Sequence, residues 1–500
     1  MELDVPASET IDKHTFLAAL ACDSAAWYAQ RAPGQEMSPA LAWQFYGGNQ
    51  VGEAARIQLG SGLMLPRTPL ALAQDTTQRM IAEPATALLF EASFQDGAFV
   101  ARADAIRRLS DGWDLIEVKS ALQPAEGKKL DPALIDDMAF TAMVAHGARL
   151  PIVRCTLLLL SRAYRLGAPD PLLVELDVTK AVLARAEEFA AVSVATGGAI
   201  LGANRPDPAL KLTCRSCAYF TSDCLGHGVE KTIFMLPGLS EKRLKQIRPI
   251  VDLTELPDSV DLTDNQQRVF DVMRSGTPLV MDGLARLDDV VWPAFYLDFE
   301  TVSPVLPWFI GDAAREQHTF QYSIHVCDGI GHIVSHREYL AENAGDWRRD
   351  LTVQLLTDLG EHGSIVVFTN FERDRLGDLA ALFPDLAMRL NGVIDRLWDL
   401  NDVIKHGYCH PGFKGSTSIK KVLPVMVPEL GYDGMAIAEG QSASGAFGLM
   451  RVGAYDAATF DEWRRDLLAY CKLDTLAMVR VHEALTRVRH TSSAAQRGIL

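Results

Sequence analysis

The sequence lacks any long apolar run and any basic leader. Its longest uncharged stretch, FAAVSVATGGAILGAN, is too short and too rich in small residues to span a bilayer. The opening MELDVPASETIDKH has neither the basic segment nor the apolar segment of a secretory signal. These two absences predict a cytoplasmic protein with no membrane partner.

Positive charge is also scarce. The chain has 48 lysines and arginines against 64 aspartates and glutamates, which gives a net charge of −16 at pH 7. Binding nucleic acid over the whole surface needs a basic footprint, so this composition argues against that class of protein. A nuclease with a local basic groove stays open, because acidic metal sites would account for part of the excess of acids.

Cysteine is sparse, with eight residues in a chain of 500. That is too few for a disulfide scaffold and predicts a reducing compartment. Three of them crowd together in KLTCRSCAYFTSDCLGHG, and Cys22 lies far upstream. The remaining four are expected to be small buried apolar residues: Cys155, Cys327, Cys409 and Cys471.

The hydrophobic pattern predicts a multidomain α/β protein, because 500 residues exceed what one core usually supports. Residues 1–232 contain a hairpin signal, in which GAFVARADAIRRL and WDLIEVKSAL flank the turn SDG. Residues 233–290 are typical of a small helical connector. Strands and helices alternate over 291–488, and 489–500 are expected to be a flexible tail.

Acidic residues recur at element ends in the C-terminal half. AFYLDFETVSP places Asp298 and Glu300 on one face of a strand, where they repel unless a cation, a salt bridge or solvent separates them. Glu372 follows the apolar run SIVVF, and LLAYCKLDTLAM places Tyr470 and Asp474 on one helix face. Such a set fits a phosphodiesterase in which carboxylates hold Mg²⁺ or Mn²⁺ and a tyrosine orients water.

These motifs, in this order, resemble the DEDDy 3′–5′ exonucleases, which have a ribonuclease H-like fold. The resemblance implies that Tyr470 orients water and that four acids are metal ligands: Asp298, Glu300, Glu372 and Asp474. The second motif of that family usually carries aspartate, so three neighbours are alternatives to Glu372: Asp374, Asp378 and Asp399. The other interpretation is a degenerate domain that binds without cutting.

The segment GFKGSTSIKKVLP supplies Lys414, Lys420 and Lys421 near these acids. The lysines would either contact a phosphate backbone or form a solvated basic loop. The residue pattern leaves both interpretations open.

The predicted hairpin carries a second candidate site. Asp104 lies on its first strand, while Glu117 and Lys119 share a face of the second, with Val118 pointing the other way. An aspartate with Glu-x-Lys in a cleft can bind Mg²⁺ and hold a cation against a scissile phosphate. The alternative is a surface ion pair worth under about 1 kcal/mol.

This half resembles the PD-(D/E)XK nucleases, which have a restriction-endonuclease-like fold, and among them the RecB-like iron–sulfur exonucleases. The resemblance implies Asp104 and Glu117 as metal ligands and Lys119 as the catalytic cation. Glu53, in QVGEAARIQL, lies where that family has an upstream ligand.

One cysteine before this core and three after it, spaced Cys-x2-Cys-x6-Cys, resemble the residues that hold a 4Fe–4S cluster in RecB-like nucleases. The implied ligands are Cys22, Cys214, Cys217 and Cys224. Zinc is the alternative, because four thiolates also form a closed structural zinc site.

Together, the halves resemble a bacterial family of unknown function that joins a RecB-like nuclease to a ribonuclease H-like exonuclease. We therefore predict a metal-dependent nuclease with two phosphodiesterase sites that acts exonucleolytically on DNA, in genome defence, mobile-element processing or repair. The alternatives are a nucleic-acid-binding scaffold with one or both sites inactive, and an RNA-processing nuclease.

Overall fold

A computed structural model describes residues 9–32, 36–342 and 344–497, with side chains described up to residue 492. The chain divides into two compact units, each discontinuous in sequence. Unit 1 comprises Met1–Met37, Gln44–Leu225 and Pro304–Glu316. Unit 2 comprises Ser38–Trp43, Gly226–Ser303 and Gln317–Leu500. Within the described ranges, no helix combines the length and apolarity needed to cross a membrane.

Unit 1 is built on a six-stranded mixed sheet whose strands follow chain order. They are β1 (Leu63–Met64), β2 (Leu88–Asp96), β3 (Phe99–Arg108), β4 (Trp113–Leu122), β5 (Ile152–Leu160) and β6 (Leu173–Asp177). β2, β3 and β4 form an antiparallel meander, and β5 is parallel to β4. The predicted hairpin is confirmed, since Arg108 pairs with Trp113 across its turn.

Helices cover this sheet on both faces. They are α1 (Lys13–Ala21), α2 (Asp23–Arg31), α3 (Pro39–Leu59), α4 (Leu70–Ala82), α5 (Pro132–Gly147) and α6 (Thr179–Leu201). Neighbouring strand residues point to opposite faces, so Leu115 and Ile116 of β4 enter different cores. One core is centred on Phe16 and Phe140, whose rings lie 5.1 Å apart.

Unit 2 contains a five-stranded sheet in the order β10-β9-β8-β11-β12. Its strands, with the short pair β7 and β13, are β7 (Leu279–Val280), β8 (Ala294–Val302), β9 (His318–Gly329), β10 (His332–Leu340), β11 (Ile365–Val367), β12 (Leu397–Asp399) and β13 (Tyr408–Cys409). β8, β9 and β10 are antiparallel neighbours, whereas β11 and β12 run parallel to β8. The carboxyl ends of β8 and β11 therefore meet at one edge of the sheet.

Unit 2 includes residues 233–290, the segment predicted as a helical connector and called the connector below. The helices of unit 2 are α7 (Glu241–Ile247), α8 (Asp264–Ser275), α9 (Arg348–Leu359), α10 (Phe371–Leu382), α11 (Ala387–Ile394), α12 (Leu400–Gly407), α13 (Ile419–Met426), α14 (Gly440–Arg451) and α15 (Ala457–Arg497). Leu284 and Leu287 of the connector share a core with β8, α12 and α15. α15 contains most of the predicted tail, 489–500, whose flexibility stays a prediction.

The prediction of a multidomain α/β protein is confirmed by these mixed sheets and their helices. In unit 2, the sheet places the middle of β8 beside β9, where Asp298 pairs with Ser323 and Glu300 with Gln321. α10 begins just after β11, and the long α15 packs on β8 and β9. These three elements position the acids of the candidate site.

Candidate functional site

The four acidic residues predicted as metal ligands in the C-terminal half line one cavity of about 310 Å³. β8 contributes Asp298 and Glu300, the first turn of α10 contributes Glu372, and α15 contributes Tyr470 and Asp474. The structure thus brings together all five residues that the sequence predicts for this site. Tyr470 and Asp474 reach it together because they are one helical turn apart.

Burial and mutual repulsion disfavour the charged forms of these acids. Burial and the charges of Asp474, Glu300 and Glu372 raise the pKa of Asp298 well above its ordinary value. Burial and Asp474 do the same to the pKa of Glu300. Burial also raises the pKa of Glu372 to about 8 and that of Asp474 to about 6. A cation in the cavity would relieve this repulsion.

Glu372, rather than its aspartate neighbours, faces the cavity. Its Oε2 is buried and has no hydrogen-bond partner among the described residues. Asp374 and Asp378 are exposed on α10. Asp399 caps the start of α12, where its side chain accepts a hydrogen bond from the Asp402 amide. Its effect on Glu372 is electrostatic, because its charge raises the pKa of that residue.

Sequence reasoning missed two residues that contact the acids of this cavity. The Tyr432 hydroxyl donates a hydrogen bond to Asp474 Oδ1. The Cys471 sulfur lies 3.8 Å from the backbone and side-chain oxygens of Asp298. Burial raises the pKa of the Cys471 thiol well above its ordinary value, so the thiol stays protonated. The spacing of Cys471 from Asp474 was an available signal, whereas Tyr432 is 42 residues from its partner.

Of the three predicted lysines, Lys420 is the one that lines the cavity. Its Nζ donates to the Ala438 carbonyl at 2.6 Å and lies 5.6 Å from the centre of the Tyr470 ring. Lys414 and Lys421 are exposed and are not among the lining residues. Lys420 therefore supplies a positive charge beside the acids.

The hairpin of unit 1 brings Asp104, Glu117 and Lys119 together. Asp104 accepts the Val118 amide at 2.7 Å, and Lys119 Nζ lies 2.8 Å from Glu117 Oε1. Burial and the charge of Glu117 raise the pKa of Asp104 to about 7. Burial opposes the charge of Lys119, but Glu117 and Asp137 outweigh it and raise the lysine pKa. Lys119 is therefore held as a cation.

Two further residues, Lys13 and Asp137, complete this site. Lys13 Nζ lies 3.0 Å from Glu117 Oε1 and 2.8 Å from Asp137 Oδ2. Lys119 Nζ lies 2.5 Å from the same Asp137 oxygen. Glu117 Oε2 is buried and unpartnered among the described residues. Lys13 is 104 residues from Glu117, so no local pattern could have linked them.

A cavity of about 130 Å³ lies beside Asp104, and the predicted ligand Glu53 does not line it. Glu53 is exposed on α3. The buried Glu91 of β2 lines the cavity instead, and Arg67 donates to it at 2.6 Å. Glu91 has a φ of 63°, in the left-handed region, although β2 and β3 keep the same register on both sides of it. A ligand role for Glu53 stays a prediction, and Glu91 joins Asp104 as a carboxylate that lines the cavity.

The four cysteines predicted to bind a cluster lie near one another. Cys22 separates α1 from α2, Cys214 lies in a 3₁₀ turn, and Cys217 and Cys224 follow it. Burial raises the pKa of Cys214, and electrostatic interactions with Cys22, Cys217 and Cys224 raise it further. Lys211 Nζ donates to the carbonyl of Ala21 at 2.5 Å and so ties the end of α1 to the cysteine loop.

Fold and sites together define a multidomain α/β protein with a buried acidic cluster in each unit. A family model described as a domain of unknown function, DUF2779, matches residues 295–418. The matched segment includes Asp298, Glu300 and Glu372 and ends before Tyr470 and Asp474. No match was found among curated proteins. The chain is similar to this family over that segment, and the description of the family assigns it no chemistry.

Proposed function

We propose that the protein is a metal-dependent nuclease with one phosphodiesterase site in each unit, acting exonucleolytically on DNA. One observation carries the proposal: the buried Glu300 and Glu372 and the half-buried Asp298 and Asp474 converge on the cavity that contains Tyr470. Buried like charges are costly unless cations neutralise them, and paired cations are the means by which many phosphodiesterases act. Genome defence, mobile-element processing or repair would use such an activity.

The donor set of unit 2 fits hard divalent cations. Its ligands would be carboxylate oxygens, which Mg²⁺ and Mn²⁺ prefer, and Glu372 Oε2 is an unused acceptor within the described residues. The protonated Cys471 thiol makes a poor soft ligand. When bound, the cations would supply Lewis-acid activation of water and neutralise charge on the phosphate.

The remaining residues of that cavity can orient the reactants. Burial and the charge of Asp474 raise the pKa of Tyr470, so its hydroxyl stays protonated and acts through hydrogen bonds rather than as a base. Lys420, beside the same ring, can contact a phosphate oxygen. The thiol of Cys471 and the hydroxyl of Tyr432 hold Asp298 and Asp474 in place.

In unit 1 we assign cation binding to Asp104 and Glu117, and charge stabilisation to Lys119. The unpartnered Glu117 Oε2 and the raised pKa of Asp104, caused first by burial, support cation binding at this site. Lys119 stays protonated and can stabilise charge that develops on a phosphate in the transition state. Asp137 forms ion pairs with both Lys13 and Lys119, and these ion pairs fix the positions of the two ammonium groups beside Glu117.

The topology of each unit supports the finer fold assignments. In unit 2, three antiparallel strands followed by two strands parallel to the first agree with a ribonuclease H-like DEDDy domain. In unit 1, an antiparallel meander, then α5 and a strand parallel to β4, agree with a PD-(D/E)XK, restriction-endonuclease-like domain.

We further propose that Cys22, Cys214, Cys217 and Cys224 hold a structural 4Fe–4S cluster, with zinc as the alternative. The hydrogen bond from Lys211 to the Ala21 carbonyl, which joins the cysteine loop to the residue before Cys22, supports a shared site, as does the electrostatic effect of the other three cysteines on Cys214. Four thiolates suit such a cluster.

A cleavage assay tests the two nuclease sites. End-labelled single- and double-stranded DNA and RNA are incubated with Mg²⁺ or Mn²⁺ and with wild type, Lys119→Ala or Asp298→Ala. We expect each variant to lose one activity by about 10²-fold or more, since it removes transition-state stabilisation, and to keep the other. Absence of cleavage by the wild type would refute the nuclease assignment, and full activity of Lys119→Ala would leave unit 1 as a binding module.

The cluster is tested by metal content after anaerobic purification. We expect a brown protein with about four irons per chain, and loss of iron and of solubility in Cys214→Ser. Cys409→Ser is the matched control, because Cys409 is partly buried in unit 2 and far from these ligands in sequence. A colourless protein with stoichiometric zinc and no iron would contradict the assignment.

A further inference from the structure

A second cavity in unit 2, of about 430 Å³, lies between the connector and the loop that leads to Lys420. Asn265 and Arg268 of α8 line one side, and Lys405 and His406 at the end of α12 line another. The loop contributes Ser416 and Thr417. A volume of this size is within the range of pockets that hold small organic ligands.

The lining of this cavity is cationic in a chain whose net charge is −16. It includes Arg268 and Lys405, and none of the described lining residues is acidic. The Arg268 guanidinium donates to the Lys405 carbonyl at 3.0 Å, which holds its planar donor fork in place. Guanidinium and ammonium groups beside hydroxyls are the groups that proteins use to bind phosphate.

The lining of the cavity also includes two aromatic residues. The rings of Tyr408 and Phe413 have their centres 5.8 Å apart. Aromatic and cationic residues in one cavity match a nucleotide, whose base has an aromatic face and whose phosphate is anionic. The bases of a duplex are stacked and unavailable to such a pocket, so a single strand fits it better.

The backbone itself connects this cavity to the acidic one. Thr417 lines the cationic cavity, whereas Ile419 and Lys420 line the cavity that contains Asp298. Successive Cα atoms are about 3.8 Å apart, so the Cα atoms of Thr417 and Ile419 lie within about 8 Å. A strand whose end occupies the acidic cavity could therefore reach the cationic one within a few nucleotides.

Close backbone packing fixes the wall of the cavity. Gly415 has a φ of 76°, and a Cβ atom there would collide with the Met235 carbonyl oxygen of the connector. The buried Gln266 of α8 donates to the Pro237 carbonyl at 2.9 Å. The connector and the loop thus form a preformed wall.

We propose that this cationic cavity binds a nucleotide of a single-stranded nucleic acid, a few positions from the end held in the acidic cavity, through phosphate contacts from Arg268 and Lys405. The proposal rests on the proposed function, because it places the strand end among Asp298, Glu300, Glu372 and Asp474. It assigns the connector a role in binding substrate.

Binding measured without cleavage tests the proposal. The probe is a fluorescein-labelled oligothymidylate of about 15 nucleotides, a length within the range of single-strand sites, with Ca²⁺ replacing Mg²⁺. For Arg268→Ala/Lys405→Ala we expect a Kd about tenfold weaker and a log–log salt slope smaller by about 1.4, since each lost phosphate contact removes about 0.7. Arg268→Lys/Lys405→Arg should recover the slope.

The matched control is Lys242→Ala/Arg349→Ala, which removes two exposed cations of unit 2 outside both cavities. It should bind like wild type, and thermal melts should show that both double variants fold. Unchanged affinity and salt slope in the Arg268/Lys405 variant would overturn the proposal, as would an equal loss of affinity for a blunt duplex. An oligouridylate of equal length tests RNA. A loss of affinity for either single strand that exceeds the loss for the duplex supports the site.

A small substrate separates this proposal from the proposed function. The p-nitrophenyl ester of thymidine 5′-monophosphate is small enough to occupy the acidic cavity alone, and Lys119→Ala removes the activity of unit 1. In the Lys119→Ala background the ester should be hydrolysed, and adding Asp298→Ala should abolish its hydrolysis. If the wild type cleaves neither the ester nor an oligonucleotide while the binding difference persists, the nuclease function fails and the nucleotide site stands.

Discussion

Asp298 and Glu300 show how much two residues on a strand can predict. Their alternation indicated a shared face, and both line the cavity. The choice of Glu372 over Asp374 could not be made from sequence, because it depends on how α10 is rotated about its axis. That rotation is set by packing, which buries Glu372 and leaves Asp374 exposed.

Other side chains of the sites carry no local signal. Lys13 contacts Glu117 across 104 residues, and Tyr432 contacts Asp474 across 42. Neither pair has a helical or strand spacing, so only the tertiary fold could bring its members together. The acids of the sites could be identified from residue type and spacing. Their hydrogen-bond partners could be identified only from the structure.

Tyr470→Phe tests the role of the tyrosine hydroxyl. The variant is made in a Lys119→Ala background, which removes the activity of unit 1. Since the hydroxyl would orient the reactants and the acids would bind the cations, we expect kcat to fall by about 10²-fold while the metal-induced rise in Tm is retained. The measurements are DNA cleavage and thermal melts with and without Mn²⁺. Tyr339→Phe in β10 is the control, because Tyr339 does not line the cavity. Unchanged kcat, or loss of the metal response, would rule out this role.

At the scale of elements, local patterns predicted the hairpin of β3 and β4, the turn from β11 into α10, and the long α15. Each is encoded by periodicity within a short window. The positive φ of Glu91, which lines the cavity of unit 1, was missed, because a glutamate at positive φ has no sequence signature. The discontinuous units were missed as well, because the grouping of 304–316 with unit 1 depends on long-range packing.

Gly415→Ala tests how the loop is fixed to the connector. Besides its φ of 76°, the new Cβ would collide with the Met235 carbonyl oxygen, so we expect destabilisation by more than about 3 kcal/mol. Gly434→Ala is the matched control: its φ is 81°, but nothing lies within 4 Å, so strain of about 1–2 kcal/mol is expected. Urea unfolding measures both. Equal effects would show that the close approach does not constrain the loop.

At the scale of the whole molecule, the sequence predicted two acidic sites in different parts of the chain. The structure groups Asp104, Glu117 and Lys119 in unit 1, and the other acids with Tyr470 in unit 2. The overall charge of −16 predicted neither the cationic cavity nor Lys420, since net charge says nothing about local distribution. Each unit can therefore be tested for metal binding by itself.

The central claim is that Asp298 and Glu300 hold divalent cations, and a thermal melt with Mn²⁺ tests it most directly. The double substitution Asp104→Asn/Glu117→Gln is made first, to remove the stabilisation that Mn²⁺ gives through unit 1. The remaining stabilisation should be about 2.7 kcal/mol at a Mn²⁺ concentration 100 times Kd. Adding Asp298→Asn/Glu300→Gln should abolish it, while the metal-free protein melts no lower, because repulsion between buried acids is relieved. A Mn²⁺ shift that persists in the fourfold variant would contradict the account.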